Sequence, residues 1–314
     1  MNESYNRIPD NSKTVCQSLI DAAERPVPTG IPDVIRTGIS PDDTIRIADG
    51  HVQKASVIYP ALLKELIDTV SHNKYARAVV SVCGGSGVGK SGVAHVLSYM
   101  LGSVGIKSLV MSGDHYPRRF PALNDSERLA VFREGGVRAL AESRTASADD
   151  RKLLQKWQEN GTDADPVHQD EAEWFKTYLS GGTDALKGYL GTDRELRFEE
   201  ADQTLSAFLD GADRLCFRRL GRDDHSLWYD AADLSDIHVL ILEWTHGLSP
   251  FLTHIDIPIL LQSTPEETLK NRLRRNRDDN IDSPFTALVL SLEQELITSS
   301  ACRAKITVAN NAVV

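Results

Sequence analysis

Nowhere in the 314 residues does an apolar run approach the ~18 needed to cross a bilayer, and the polar start, MNESYNRIPDNSK, has no apolar signal core. The reading excludes a membrane partner and expects a reducing, cytoplasmic compartment. Only four cysteines occur, Cys16, Cys83, Cys216 and Cys302, with no CxxC pair, so neither a zinc site nor a disulfide framework is indicated. Basic charge is also short: 35 Lys and Arg against 45 Asp and Glu leave a net charge of −10, which argues against a nucleic-acid partner needing an electropositive face. No guanine-binding N-K-x-D segment, internal repeat or low-complexity tract is present. What remains is ample apolar material, 41% of residues, enough to bury a full core.

Residues 1–75 read as an N-terminal extension, either an extra layer on the core or a dimerisation element of a homodimer. Pro26, Pro28, Pro32 and Pro41 mark turns and irregular structure up to about Ser40. Thr44 to Ala48 alternates like a short strand, Asp49-Gly50 reads as a turn, and Leu62, Leu63, Leu66, Ile67 and Val70 fall at helical spacing. Residues 76–314 read as one further domain. The valine-rich run Arg77 to Cys83 predicts a strand, Ser91 to about Leu101 a helix, and Ile106 to Met111 a second strand, a βαβ unit that implies a parallel sheet. Residues 118–235 read as a mostly helical insertion on the substrate side, punctuated by Gly181-Gly182 and Gly191. His238 to Leu242, Ile257 to Leu261 and Lys305 to Val308 predict strands. Thr264-Pro265-Glu266-Glu267 opens a helix to about Arg277, and another spans Ser283 to about Ser299.

Between the first strand and its helix stands Gly84-Gly85-Ser86-Gly87-Val88-Gly89-Lys90-Ser91, a full G-x-x-x-x-G-K-[ST]. Glycines let the backbone turn tightly, so that the amides of Gly85, Ser86, Gly87, Val88 and Gly89 converge on phosphate oxygens. Lys90 is expected at the β- and γ-phosphates and Ser91 on Mg²⁺. The cofactors implied are ATP and Mg²⁺. The fold class expected is α/β: a three-layer P-loop NTPase of nucleoside- or nucleotide-kinase type with a mostly parallel sheet.

The second strand ends Met111-Ser112-Gly113-Asp114-His115-Tyr116. Asp114, just past the strand's C-terminal end in the crevice where open α/β sheets bind ligands, is a candidate base for an attacking hydroxyl, or a turn cap. Glu243, ending an apolar strand, is a candidate for the Mg²⁺ shell or a substrate hydroxyl. GGSGVGKS followed by SGDHYPR resembles the uridine kinase and phosphoribulokinase family, which includes bacterial pantothenate kinase. The resemblance covers roughly residues 77–120 and 237–300. It implies a catalytic Asp at Asp114, with a share in the metal site, an aromatic close after it at Tyr116, an acid at Glu243, and an arginine-rich lid at Arg272 to Asp278, from which Arg275 and Arg277 are chosen. Glu243 departs from the family in being followed by Trp244-Thr245-His246-Gly247 rather than directly by Gly. Arg218 to His225 with Trp228 to Asp230 reads as a site for an anionic or sugar-like substrate, or as an exposed hairpin. Arg222 and Trp228, with Arg118 and Tyr116 nearer Asp114, are the candidate substrate residues. His168, His246 and His254 lack metal spacing and read as structural.

The expected function is transfer of the γ-phosphate to a hydroxyl of a small metabolite such as a nucleoside, sugar, polyol or hydroxy acid. The alternatives are a kinase acting on a nucleotide or adenylyl sulfate, and a non-kinase P-loop ATPase or regulator.

Overall fold

In the computed structural model the described residues are 10–37, 43–221, 223–275, 283–309 and 312–314. The first of them form α1 (Asp10–Ala23), a helix within a stretch expected to be irregular. Val15, Leu19 and Ala22 recur at helical spacing and are buried. Strands β1 (Val34–Arg36) and β2 (Thr44–Arg46) pair antiparallel. Helix α2 (Asp49–His72) follows, so Asp49-Gly50 is its first turn rather than a separate one, and the helix runs through Pro60, which faces solvent. Its burial of Ile58, Leu62, Leu63 and Leu66 outweighs the bond that proline removes.

The expected βαβ unit is present as β3 (Ala78–Gly84), α3 (Lys90–Ser103) and β4 (Ser108–Ser112). The insertion holds α4 (Pro121–Ser143), α5 (Ala148–Glu159), the single turn α6 (His168–Glu171), α7 (Phe175–Lys187) and α8 (Phe198–Leu209). It ends in an antiparallel hairpin, β5 (Arg214–Leu220) and β6 (Leu227–Asp233). Then come β7 (Val239–Glu243), β8 (Ile257–Leu261), α9 (Pro265–Arg275), α10 (Pro284–Ser299), β9 (Ile306–Ala309) and β10 (Ala312–Val313).

The main sheet runs β10-β9-β8-β3-β7-β4, parallel except for β10. The two strands of the βαβ unit, β3 and β4, are not neighbours in the sheet. Strand β7 lies between them, with Glu243 opposite Val82 on one side and Ser112 on the other. On one sheet face, α1, α2 and α3 share a core with Val80, Val82, Ile241 and Ile259; on the other, α8 packs Phe198, Leu205 and Phe208 against Val79, Leu240 and Leu242. This is the three-layer α/β architecture, with the extension built into one layer. Among the described residues no helix is long and apolar enough to cross a membrane.

Gly181-Gly182 do not interrupt the insertion but lie inside α7 against α4, where Gly181 faces Gly135 and Gly182 faces Phe132. A Cβ on Gly181 would lie 2.4 Å from the Ala139 Cβ and 2.9 Å from the Gly135 carbonyl oxygen, so both helices need bare backbone to approach this closely. Gly181→Ala gains at most ~1 kcal/mol of helix propensity but forces the helices apart, which costs about 1–3 kcal/mol. The expected result is a net loss of stability, read as a lower urea midpoint.

Arg128 ties this insertion to the sheet side. Its Nε donates to Glu195 Oε1 (2.7 Å) and an Nη to Glu293 Oε1 of α10 (3.1 Å), while Glu195 Oε2 accepts the Gly191 amide (2.7 Å). Burial disfavours the guanidinium's charge, but the two carboxylates outweigh that and raise its pKa. His168 is structural, stacked on Trp157 with centroids 3.9 Å apart.

Candidate active site

Strand β3 is buried along its length and aims its C-terminal end at the loop 84–89. That loop needs glycine: φ is +82° at Gly87 and +96° at Gly89, the residue that caps α3. The first turn of α3 therefore opens onto the loop with its amides and positive dipole end. Lys90 is nearly buried, and its Nζ donates to the Gly85 carbonyl at 3.2 Å.

Strand order brings three polar groups together beside it. Ser91 Oγ donates to Glu243 Oε2 (2.9 Å), and Ser112 Oγ donates to Glu243 Oε1 (2.5 Å). The sequence reading missed Ser112, because only the placement of β7 between β3 and β4 sets it opposite Glu243. Burial raises the Glu243 carboxyl above the ordinary carboxylate range, and the charge of Asp114 adds to that. The Ser112 bond, the Lys90 charge and the Ser91 bond pull the other way. A buried carboxylate, a second one near it and a serine hydroxyl are a donor set that could hold Mg²⁺ together with water and phosphate oxygens. Among the described residues no group of three or more His, Cys, Asp or Glu could hold a metal ion unaided.

The raised Glu243 pKa fixes a sign. Its folded state favours the protonated acid, so its contribution to stability is fully present below the unfolded value of 4.5 and is lost as pH rises through the folded pKa. Glu243→Gln keeps the shape and removes the titration. Without ligand, the variant should melt higher than the parent near pH ~8, with the gap closing near pH ~4.

Asp114 is exposed in the one-turn 3₁₀ segment Gly113–His115 that follows β4. The hairpin holds that turn: Leu220 N–H donates to His115 Nδ1 (3.1 Å), and Arg218 Nε donates to the His115 carbonyl (3.0 Å). Burial and the Arg219 charge lower the His115 pKa, against the pull of Asp114. Tyr116 is corrected as a substrate residue. It is 1% exposed, its ring lies 6.3 Å from that of Trp244, and burial raises its phenol to about 12, so it is part of the core under the turn. Arg118 is exposed, but its Nε donates to the Asp193 carbonyl and its amide to the Glu195 carbonyl, which fastens it to the 193–195 loop. Trp228 is 70% exposed on β6 and cross-strand from Arg219, which pairs with Asp43 and Asp230. Arg222 and Arg277 lie outside the described residues, as does the side chain of Arg275, whose backbone ends α9.

Among the described side chains of the arginine run, Arg272 lies against the loop. Its Cγ lies 3.0 Å from where a Gly87 Cβ would stand, and an Nη donates to Thr268 Oγ1 at 2.9 Å. Thr268, Asn271 and Arg272 are spaced to share a helix face, a spacing that Arg275 also fits. A small gap over Gly85 and Ser86 shares Arg272, Leu290 and Gln294 with a groove of ≈ 720 Å³ between α9 and α10. Cys83 is core, its thiol pushed up to about 11 by burial.

No family model matches the chain. It is 36% identical over 223 residues, 71% of its length, to the bifunctional alpha-galactosidase/sucrose kinase AgaSK of Mediterraneibacter gnavus, and spans 19% of that protein. Among solved structures it is similar to the phosphoribulokinase from Rhodobacter spheroides (15% identity, 74% of this chain and 70% of that one, TM-score 0.44). It is also similar to a possible uridine kinase from Bacillus stearothermophilus (14% identity, 79% and 100%, TM-score 0.36). The parallel sheet, the glycine loop after its central strand and the acid on the adjacent strand make this a three-layer α/β P-loop fold.

Proposed function

We propose that this chain, a divergent P-loop kinase of the uridine kinase and phosphoribulokinase family, transfers the γ-phosphate of ATP to a hydroxyl of a small metabolite. A sugar is the first choice of acceptor. The observation that carries the reading is the convergence of Ser91, Glu243 and Asp114 beside a buried Lys90 at the mouth of a glycine loop. The sucrose kinase named in the curated relative supports the choice of a sugar over a nucleoside, polyol or hydroxy acid.

In this reading the loop amides from Gly85 to Gly89 and Lys90 grip the phosphate chain. Ser91 and Glu243, with Asp114 near, would hold Mg²⁺, which supplies charge neutralisation between the β- and γ-phosphates. Asp114 takes the proton from the acceptor hydroxyl at its carboxylate. Arg272 from α9, with Arg275 and Arg277 beyond it, counters charge on the equatorial oxygens of the moving group. Trp228 offers a flat apolar face to a sugar ring, and Arg118 and Arg222 flank the acceptor. Most of the rate enhancement then comes from positioning and electrostatics. The setting is a reducing cytoplasmic compartment.

The test is a coupled assay of ADP release with sugars, nucleosides, polyols and hydroxy acids offered in turn. A kinase releases ADP only with its acceptor, and a sugar should lead the panel. ADP release at one rate whatever is supplied would replace the kinase reading with that of a P-loop ATPase or regulator.

A further inference from the structure

The phosphate loop is held from outside as well as shaped from within. Asn271 Nδ2 of α9 donates to the Gly87 carbonyl at 3.0 Å, and Lys54 Nζ of α2 donates to the Val88 carbonyl at 2.8 Å. In a trans peptide the C=O and the next N–H point opposite ways. A Val88 carbonyl drawn outward to Lys54 therefore turns the Gly89 amide toward the side where phosphate binds. His51 stands one turn before Lys54 on α2, with its ring laid against the same segment. A Cβ on Gly89 would lie 2.8 Å from His51 Cδ2, and one on Gly92 would lie 2.2 Å from Nδ1. Gly92 is outside the motif, so its lack of a side chain answers to this ring rather than to phosphate.

Lys54 is half-buried. Burial lowers its pKa and the Glu267 carboxylate partly restores it, so a cation is kept behind the loop. An ammonium there adds positive potential where a triphosphate lies and costs no reorganisation when the nucleotide arrives. We propose that Lys54, seated by His51, is a positioning residue of the donor site, through which the N-terminal extension sets the loop's affinity for the phosphate chain of a nucleoside triphosphate. This rests on the kinase reading given above.

Calorimetric titration of the full chain with Mg-ATP tests it, alongside steady-state kinetics and thermal melts. Lys54→Met should raise the Kd and KM for Mg-ATP about tenfold, while KM for the acceptor and the melting temperature stay near the parent's. Lys54→Arg should restore most of the loss, and Gly92→Ala, which pushes the His51 ring off its seat, should weaken nucleotide binding in the same direction. Should Lys54→Met fail to fold, Lys54→Gln is read the same way. A parent that binds Mg-ATP while these variants bind it equally well overturns the inference alone, as does a lowered melting temperature with Kd unchanged. A parent that gives no heat with Mg-ATP overturns the inference and the kinase reading together.

Discussion

Asp114→Asn should lower acceptor-dependent ADP release by about 10²–10⁴-fold, the usual worth of a positioned base. The amide keeps the size of the side chain and cannot take a proton. Asp114 stands in a turn held by the hairpin through Leu220 and Arg218, so the substitution should not move the backbone. Binding of Mg-ATP should survive, because the loop and Lys90 are untouched. Removing the Asp114 charge should also ease the upward pressure on the Glu243 pKa. Kinetics with saturating acceptor, beside a nucleotide titration, separate the two effects. A variant that keeps most of its turnover would mean that the acceptor attacks through a group already ionised, as a nucleotide phosphate would.

Lys90→Met should reduce turnover by about 10³-fold and weaken Mg-ATP binding as well. Methionine fills nearly the same volume, so the nearly buried site keeps its packing while losing its charge. The substitution has a second signature. Lys90 pulls down the pKa of both Cys83 and Glu243, so both should titrate higher in the variant. For the Cys83 thiol this is measurable in the folded protein as thiolate ultraviolet absorbance that appears at higher pH in the variant. Turnover near the parent's with Lys90 gone would remove the phosphate loop from the mechanism.

The parts of this site that lie close together in sequence were legible there. Gly84 to Ser91 sits between an apolar strand and a helix, and local patterning alone implies the turn that joins them. The acids closing two strands, Asp114 and Glu243, were legible for the same reason. Strand order was not, because the pairing of β7 with both β3 and β4 is a choice among distant segments that no local pattern encodes. Ser112 was missed with it. Tyr116 looked like a substrate residue because an aromatic beside a candidate base reads the same whether it faces a cleft or the core beneath the turn, and Trp244 and the burial around it decide that. Gly181-Gly182 looked like breaks because glycine weakens a helix, yet here the missing side chains admit Gly135 and Phe132 of a second helix. Lys54 and His51 were passed over because nothing in a helical lysine 34 residues before Val88, or in a histidine one turn ahead of it, announces that the one bonds the loop and the other lies against Gly89 and Gly92.

The sharing of one core by α1, α2, α3 and the sheet has a consequence for how this chain can change over time. Leu62, Leu63 and Leu66 are as much the inside of the nucleotide-binding unit as Val80 and Val82 are. A recombination event that swapped in a foreign front end at residue 76 would leave that interior without its other half. Helices α1 and α2 and the strands beneath them are therefore bound to drift as one inheritance, each substitution on α2 answerable to the strands it covers.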